Sequence, residues 1–298
     1  MFLLFSLIGC QPNLPPLVID GPSIVVDHAW GQSRVPLAPK RIVVLDLPFL
    51  DALTSLEQPV AGYAGTSQKR VPHYLLPYFP DGVEPVFVGE RKQPNLEVIL
   101  SLDPELIIAN PDRHKLIKNS LETLAPTIAF QDNSIDQVRS LVDTLGLITQ
   151  RQERSREVTA ALGEAIEKAR SLTPQGRTVM VIGAFEDEFS TWTATSFIGT
   201  LMEEVGMDYL FTGPASASES QTEVAKLTIE SLSELNPSVV FLYGSDKLWL
   251  NNPIYRSLAC FSHQQIHHVD RDLWSRARGP LAALEILKTY ERLVQTKP

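Results

Sequence analysis

The chain of 298 residues has only two cysteines, Cys10 and Cys260, and it has no run of basic residues. Two cysteines allow at most one disulfide, and none if Cys10 is modified, so the fold cannot depend on a disulfide framework. The net charge of −9 argues against binding to nucleic acids, whose phosphates attract basic surfaces. After residue 10 no apolar stretch reaches the length of about 20 residues that a membrane helix needs.

Sequence signatures of catalysis are also missing. There is no Gly-x-Ser-x-Gly elbow, no His-Glu-x-x-His motif, no Gly-x-Gly-x-x-Gly loop and no P-loop. Carboxylates are plentiful, so an enzyme of the cell envelope stays open as a remote alternative, but no spacing marks an acid–base pair. We therefore expect a protein that is not an enzyme.

The first ten residues indicate export. Residues 1–9 are mostly apolar, and residues 7–10 read Leu-Ile-Gly-Cys, which is typical of a bacterial lipobox cleaved before an acylated cysteine. No Lys or Arg precedes Cys10, which is unusual for a signal peptide and leaves open a trimmed start with an incidental cysteine. We expect a signal peptide over residues 1–9 and a lipid-anchored, Pro-rich tether over residues 10–26. The protein would then lie in the periplasm or on the outer face of the cytoplasmic membrane.

Four short apolar runs predict buried strands. They are residues 42–45, 106–109, 179–182 and 239–242, each flanked by turn-forming residues. Continuous apolar runs are typical of strands that are buried on both faces of a parallel sheet. Helical patterns lie between them, for example over residues 95–102 and 229–235. The alternation predicts an α/β fold whose sheets are mostly parallel and flanked by helices.

One long region, residues 134–172, has no strand candidate. The apolar residues over 158–172 repeat at helical spacing, and the opposite face of this helix is charged. We expect a first helix that ends at Gly146 and a second over 147–172, which would be roughly 40 Å long. Such a helix is either a surface crossover within one domain or a strut between two lobes, and its length favours the strut. The predicted boundaries are an N-terminal lobe over 27–146, a linking helix over 147–173 and a C-terminal lobe over 174–298.

A weak internal repeat supports two lobes. Its copies begin at Asn95 and Thr228, at an offset of 133 residues, and each runs through a short helical segment and a proline into an apolar strand. Asn95 and Thr228 would cap their helices. Glu97 and Glu230 stand in the first turn, where a negative charge stabilises the helix dipole, and this alone would explain both glutamates.

Taken in order, these segments resemble the periplasmic binding proteins of iron–siderophore and cobalamin ABC importers, from residue 28 to the end of the chain. The most specific pieces are Pro-Lys-Arg-Ile-Val-Val-Leu at 39–45, Val-Gly at 88–89 ahead of Pro-Asn-Leu-Glu at 94–97, and Trp274 ahead of Gly-Pro at 279–280. The chain looks most like the ferric-citrate and hydroxamate siderophore branch. The resemblance implies two α/β lobes joined by one long helix, with the ligand in the cleft between them.

The resemblance also implies partners. In these proteins a surface carboxylate on each lobe contacts basic residues of the permease, and by motif position these would be Glu97 and Glu230. The protein would be a monomer that has no resident cofactor, binds a ferric chelate and delivers it to an ABC permease in the cytoplasmic membrane. A cobalamin- or haem-binding protein of the same fold is the alternative.

Six arginines are predicted to face the cleft. Ligands of open parallel sheets bind beyond the carboxyl ends of the strands, and the loops at these positions carry the arginines. The two lobes supply three each, namely Arg70, Arg91, Arg113, Arg271, Arg276 and Arg278. A guanidinium keeps its charge and offers a planar fork of donors to carboxylates. Any one of these arginines could be an ordinary solvated charge, but the set favours a ferric siderophore of the citrate or carboxylate type.

Aromatic residues and histidines are further candidates for ligand contacts. The aromatic candidates are Tyr63, Trp192, Tyr243 and Trp274. Trp192 and Trp274 leave a hydroxamate ligand open, although tryptophan is more often a core residue. His263, His267 and His268 lie close in sequence, but a strand over 265–270 would send the last two to opposite faces. We therefore expect no metal site made by protein side chains. A haem would need a tyrosine or histidine ligand, and Tyr63, Tyr243 and His73 have no supporting spacing.

Overall fold

The computed structural model describes residues 19–66, 70–79, 82–185, 188–213 and 224–295. Cys10, the predicted signal peptide and the first part of the predicted tether lie outside the described residues. The chain forms two α/β lobes, each built on a six-stranded sheet, together with a two-stranded hairpin. This confirms the predicted fold class. Within the described residues, no helix combines the length and the apolar character that crossing a bilayer requires.

An antiparallel hairpin precedes the first lobe. Its strands are β1 (Ser23–His28) and β2 (Gly31–Pro36), and the turn between them is tied to the lobe by a hydrogen bond from Ala29 N to Ala129 O of 2.9 Å. The prediction assigned residues up to 26 to the tether. Since residues 23–26 pair within the hairpin, that segment ends earlier than predicted.

The N-terminal lobe has a nearly all-parallel sheet. Its strands are β3 (Ile42–Val44), β4 (Gly62–Gly65), β5 (Val86–Glu90), β6 (Gln93–Pro94), β7 (Leu106–Ala109) and β8 (Thr127–Ala129). They lie in the order β6-β5-β4-β3-β7-β8, and only β5 and β6 are antiparallel. Every residue of β3, β4, β7 and β8 is buried, which explains the continuous apolar runs and confirms the first two predicted strands.

The helices of this lobe begin at polar caps where the sequence supplies them. They are α1 (Leu47–Ser55), α2 (Leu96–Ser101), α3 (Lys118–Leu124) and α4 (Ile135–Ile148). The side chain of Asn95 accepts hydrogen bonds from Glu97 N and Val98 N at 2.9 and 3.1 Å, so the predicted cap of α2 is confirmed. Among the described residues, this lobe also contains the 3₁₀ segments His73–Tyr78 and Lys115–Ile117.

The helix that joins the lobes is α5 (Gln152–Leu172), and it begins later than predicted. Gly146 does not end α4. A Cβ at Gly146 would lie 2.6 Å from the Cβ of Ser155, so the glycine is there to let α4 and α5 pack closely. The turn instead uses Gln150, whose φ is +57°, and a hydrogen bond from Arg151 N to Gly146 O of 2.7 Å. Two helices therefore meet in a tight corner at residues 149–151.

The C-terminal lobe has a mixed sheet. Its strands are β9 (Thr178–Phe185), β10 (Glu188–Trp192), β11 (Asp208–Tyr209), β12 (Val224–Leu227), β13 (Val239–Gly244) and β14 (Ile266–His268). The order is β12-β10-β9-β13-β14, with β11 also paired to β9. β9, β11, β13 and β14 are parallel, while β10 and β12 are antiparallel to their neighbours. The predicted strands at 179–182 and 239–242 are confirmed, and so is the strand that contains His267 and His268.

Five more helices follow in the described part of the second lobe, and the first and last of them also pack against the first lobe. They are α6 (Phe197–Glu204), α7 (Ile229–Leu235), α8 (Pro253–Ser257), α9 (Ala259–Ser262) and α10 (Pro280–Gln295). Thr228 caps α7 by accepting from Ser231 N at 3.1 Å, as predicted. α10 packs against both α5 and α1, and Arg139 of α4 donates two hydrogen bonds of 2.6 Å to Glu204 of α6. One apolar core is consequently continuous between the lobes.

Candidate functional site

A cavity of about 700 Å³ lies between the two lobes, and we call it the main cavity. One wall is formed by the loops after β5, β7 and β8, at the carboxyl edge of the first sheet. The other wall is formed by the end of β10 and by the segment that precedes α10. Four of the six predicted arginines line this cavity, two from each lobe: Arg91, Arg113, Arg276 and Arg278.

A buried carboxylate holds the two arginines of the N-terminal lobe. Asp46 follows β3, caps α1 by accepting from Leu47 N at 2.8 Å, and is fully buried. Its Oδ1 accepts from Arg91 Nη1 at 3.3 Å, and its Oδ2 accepts a hydrogen bond from Arg113 Nη1. The two arginine side chains stay 29% and 26% exposed. Asp46 therefore fixes both guanidinium groups, and part of each arginine side chain stays exposed.

The loops that carry these arginines are joined by His114. This residue is fully buried, its Nδ1 accepts from Asn110 N at 2.9 Å, and its Nε2 lies 2.8 Å from Arg91 O. A ring that accepts at Nδ1 carries its proton on Nε2, so Nε2 donates to the Arg91 carbonyl. Burial lowers the pKa of His114, which agrees with this neutral form. The backbone at Arg91 is thus tied to the loop that holds Arg113.

Arg278 reaches across the main cavity from the second lobe. Its guanidinium lies 5.4 Å from the ring centroid of Trp192, and its Nη1 lies 3.6 Å from Oδ2 of Asp132 in the first lobe. Asp132 is buried and also accepts from Asn110 Nδ2 at 3.0 Å. Burial and the charge of Arg278 both lower the pKa of Arg91, so arginines of the two lobes face each other. A ligand carboxylate would compete with Asp132 for Arg278.

The arginine segment of the second lobe is positioned by α10. Asp51 of α1 is fully buried and accepts from Leu281 N and Ala282 N at 2.8 and 2.9 Å, in the first turn of α10. Burial raises the pKa of Asp51 to about 7. Gly279 has a φ of +122°, and a Cβ there would lie 2.5 Å from Asp51 Cγ. This contact sets the position of residues 276–278 relative to the first lobe.

The other two predicted arginines lie elsewhere. Arg70 lines a smaller cavity of about 150 Å³, which also contacts Arg276. Arg271 is exposed, and its guanidinium stacks 4.4 Å from the ring centroid of Phe185. Arg271 lines neither of these two cavities.

Only one of the four aromatic candidates reaches the wall of the main cavity, and it is Trp192. Tyr63, Tyr243 and Trp274 are buried in the apolar core, with ring partners at 5.7 Å (Phe87), 5.8 Å (Phe185) and 4.6 Å (Phe241). Burial raises the pKa of Tyr63 to about 12, which keeps its hydroxyl protonated. The structure does not bring these three side chains to the cleft, because apolar packing takes up their surface.

Residues 43–270 match the sequence pattern of the family described as periplasmic binding protein. The chain belongs to the periplasmic binding protein family. The Fe(3+)-citrate-binding protein YfmC of Bacillus subtilis (strain 168) is 30% identical to it over 268 residues, which covers 86% of this chain and 81% of YfmC.

Two further proteins are similar to nearly the whole length of this chain. The Fe(3+) dicitrate-binding periplasmic protein FecB of Escherichia coli (strain K12) is 27% identical, over 92% of this chain and 94% of FecB. The crystal structure of the petrobactin-binding protein YclQ of Bacillus subtilis matches with a TM-score of 0.79 at 21% identity, over 93% of this chain and 100% of that one. The last similarity shows a shared two-lobe fold. The resemblance drawn from sequence motifs is confirmed.

The repeated glutamates lie on the surface of this periplasmic binding protein. Glu97 and Glu230 are both exposed, each in the first turn of its helix, α2 or α7. The first-turn position stabilises the helix, and exposure leaves the carboxylates free for a second role.

The histidines of the second lobe do not converge. His267 packs 5.7 Å from the Phe241 ring centroid, while His268 lies 3.7 Å from Oδ1 of Asp246. Burial lowers the pKa of His267. In the part of the chain that the structure describes, no three His, Cys, Asp or Glu side chains are placed together to hold a metal ion.

The buried carboxylates that pair with the arginines of the main cavity were not predicted from the sequence. Asp46 and Asp132 occupy the same kind of position as the arginines, directly after β3 and shortly after β8. Among the residues that follow strands, only arginines and aromatic residues were predicted to contact a ligand. The same position in the sequence also marks Asp46, Asn110 and Asp132.

Proposed function

We propose that this periplasmic binding protein captures an Fe(III)–siderophore complex of the citrate or carboxylate type in the main cavity and delivers it to an ABC permease. The observation that carries the proposal is the convergence of four arginines, two from each lobe, on one cavity. YfmC and FecB, which bind ferric citrate by name, add support.

The arginines suit a chelate whose carboxylates point outward. A guanidinium forms paired, charge-assisted hydrogen bonds with a carboxylate, and these are about twice as strong as neutral ones. Asp46 holds Arg91 and Arg113 in place, and Asp132 holds Arg278. Less side-chain freedom then remains to be lost on binding, which favours affinity. A multiply charged ligand could bridge the lobes by contacting arginines of both.

Tryptophan fluorescence provides the test, because Trp192 lies under Arg278 on the cavity wall. The protein without residues 1–10 is titrated with ferric citrate, a ferric tris-hydroxamate, haemin and cobalamin. We expect saturable quenching by ferric citrate and a dissociation constant raised about 10- to 100-fold in Arg278→Met, since a hydrogen bond to a charged group contributes about 1.5–3 kcal/mol. Arg256→Met, at an exposed site in α8, is the matched control.

Binding of haemin or cobalamin alone would contradict the proposed ligand class and leave the fold unaffected. Failure of Arg278→Met to weaken ferric citrate binding would show that the main cavity is not where the complex sits. The Trp192→Phe variant identifies the source of the signal, because it should lose most of the quenching and keep the affinity.

We further propose that Glu97 and Glu230 contact the permease and that Cys10 carries the lipid anchor. Exposure of both glutamates supports the first statement. The second is supported by two relatives from Bacillus subtilis (strain 168) that are named lipoproteins, YhfQ and YfiY. Incorporation of labelled palmitate into the protein, and its loss in Cys10→Ser, tests the anchor.

A further inference from the structure

A second cavity of about 150 Å³ lies beside the main cavity, and we call it the side chamber. It is formed between the lobes, with Leu47, Val71 and Leu76 on the first-lobe side and Ala277 on the second-lobe side. Leu47 and Val71 are buried, whereas Leu76 is 45% exposed. The side chamber therefore has an apolar wall with one partly exposed leucine, and it lies next to the arginine-lined main cavity.

Arg276 lines both cavities, so they lie next to each other at this side chain. Its Nη1 donates to Asp272 Oδ1 at 2.7 Å, four residues earlier on a short π-helical turn, Asp272–Arg276. Buried Leu273 and Trp274 anchor this turn in the core. Of the residues that follow Arg276, Ala277 lines the side chamber and Arg278 lines the main cavity. A molecule held by Arg276 could extend into either cavity.

The volume of the side chamber, about 150 Å³, is close to that needed for one aromatic ring. An engineered protein cavity of about 150 Å³ lined by apolar side chains takes up benzene, which sets the scale. Polar and charged side chains complete the lining, and they are Thr66, Arg70, His73, Asp272 and Arg276. The small side chain of Ala277 leaves this space open. A ring with a polar substituent fits the lining better than a purely apolar group does.

We propose that the side chamber accepts an aromatic arm of the chelator while the ferric carboxylate core occupies the main cavity. This rests on the proposed function and narrows its substrate class. The favoured substrate is a citrate-type siderophore that carries a ring, bound more tightly than ferric citrate itself because ring burial adds apolar contact without displacing the arginine contacts.

The test compares two ferric complexes that differ only in the ring. The probes are the ferric complexes of citrate monobenzylamide and citrate monomethylamide, titrated by tryptophan quenching. Burying one ring predicts that the wild-type protein binds the benzylamide complex about tenfold more tightly or better. Leu76→Trp, which fills the chamber from an exposed position, should remove this preference and keep the affinity for the methylamide complex. Leu147→Trp is the control, because Leu147 of α4 is 43% exposed and lies outside both cavities.

The outcomes separate the two proposals. Equal binding of both complexes by the wild-type protein would overturn the side chamber as an arm site and leave the proposed function standing. Binding of neither these complexes nor ferric citrate would overturn the proposed function. If Leu76→Trp weakened both complexes equally, the side chamber would belong to the binding of the core, and the inference about the arm would be wrong.

Discussion

Replacing Asp46 tests how the main cavity is prepared for a ligand. Asp46→Ala removes the cap of α1 and the shared acceptor of Arg91 and Arg113. Losing a cap costs about 1 kcal/mol, and losing hydrogen bonds to charged groups costs about 1.5–3 kcal/mol. Because both arginine side chains are partly exposed, water replaces part of the lost acceptor. We expect the free energy of unfolding to fall by about 2–3 kcal/mol.

Asp46→Asn separates charge from shape. The amide keeps an oxygen that can cap α1, so we expect a loss below about 1 kcal/mol. A carboxylate bound on the far side of a guanidinium would lie about 7 Å from Asp46, where Coulomb repulsion is about 1–2 kcal/mol for an effective dielectric constant of about 20–40. Removing this repulsion, less the screening by salt, should tighten binding of ferric citrate about fivefold.

Urea denaturation measures the stability of both variants, and tryptophan quenching at two salt concentrations measures their affinity. The gain in affinity for Asp46→Asn should shrink at high salt. Asp103→Asn is the control, since Asp103 is exposed and pairs with Arg41 outside the cavity. A folded Asp46→Asn protein that bound ferric citrate tenfold more weakly would refute this reasoning, because the ordering of Arg91 and Arg113 by the carboxylate would then outweigh its repulsion of the ligand.

Three further outcomes follow from the structure. Burial raises the pKa of Asp51 from 3.8 to about 7. The stability that protonated Asp51 contributes is therefore fully present below about pH 4 and is lost as the pH rises through 7. Urea denaturation should show that the wild type loses stability relative to Asp51→Asn between pH 5 and pH 8. Gly279→Ala should lower the melting temperature and reduce the free energy of unfolding by about 2–3 kcal/mol, because the φ of Gly279 is +122° and a Cβ would contact Asp51. Gly163→Ala is the control, because Gly163 faces open space on α5, and it should raise the free energy of unfolding by about 0.5–1 kcal/mol. Glu97→Lys combined with Glu230→Lys should abolish uptake of labelled ferric citrate by cells that contain the permease, and a weaker dissociation constant of the purified variant would contradict a docking role.

Elements with a strong local signal were predictable from the sequence. The strands at 106–109 and 239–242 are buried on both faces, so nearly every residue in them is apolar. The caps Asn95 and Thr228 were also recognisable, because capping depends only on residues within one turn. The antiparallel strands β10 and β12 gave no such signal. They mix exposed and buried residues, and β12 lies at the edge of its sheet.

The break between α4 and α5 shows where local reasoning misleads. A glycine near the end of a helical pattern is typical of a helix terminus. Gly146 instead meets Ser155 of the next helix, and that contact exists only when the two helices are packed together. The predicted end at Gly146 was wrong because the role of this glycine is set by a partner nine residues away.

The sequence alone determined the α/β class, the family, the helix caps and the presence of arginines in loops at strand ends, because each depends on residues that are close along the chain. Only the tertiary structure decided which arginines meet. Arg91, Arg113, Arg276 and Arg278 share one cavity, while Arg271 stacks on Phe185 and Arg70 lines the side chamber. It also decided that buried carboxylates, Asp46 and Asp132, hold three of these arginines. The physical reason is that these partners are far apart in the sequence. Arg91 and Arg113 meet Asp46 because their strands belong to one sheet, and Arg278 meets Asp132 because α5 and α10 hold the lobes together.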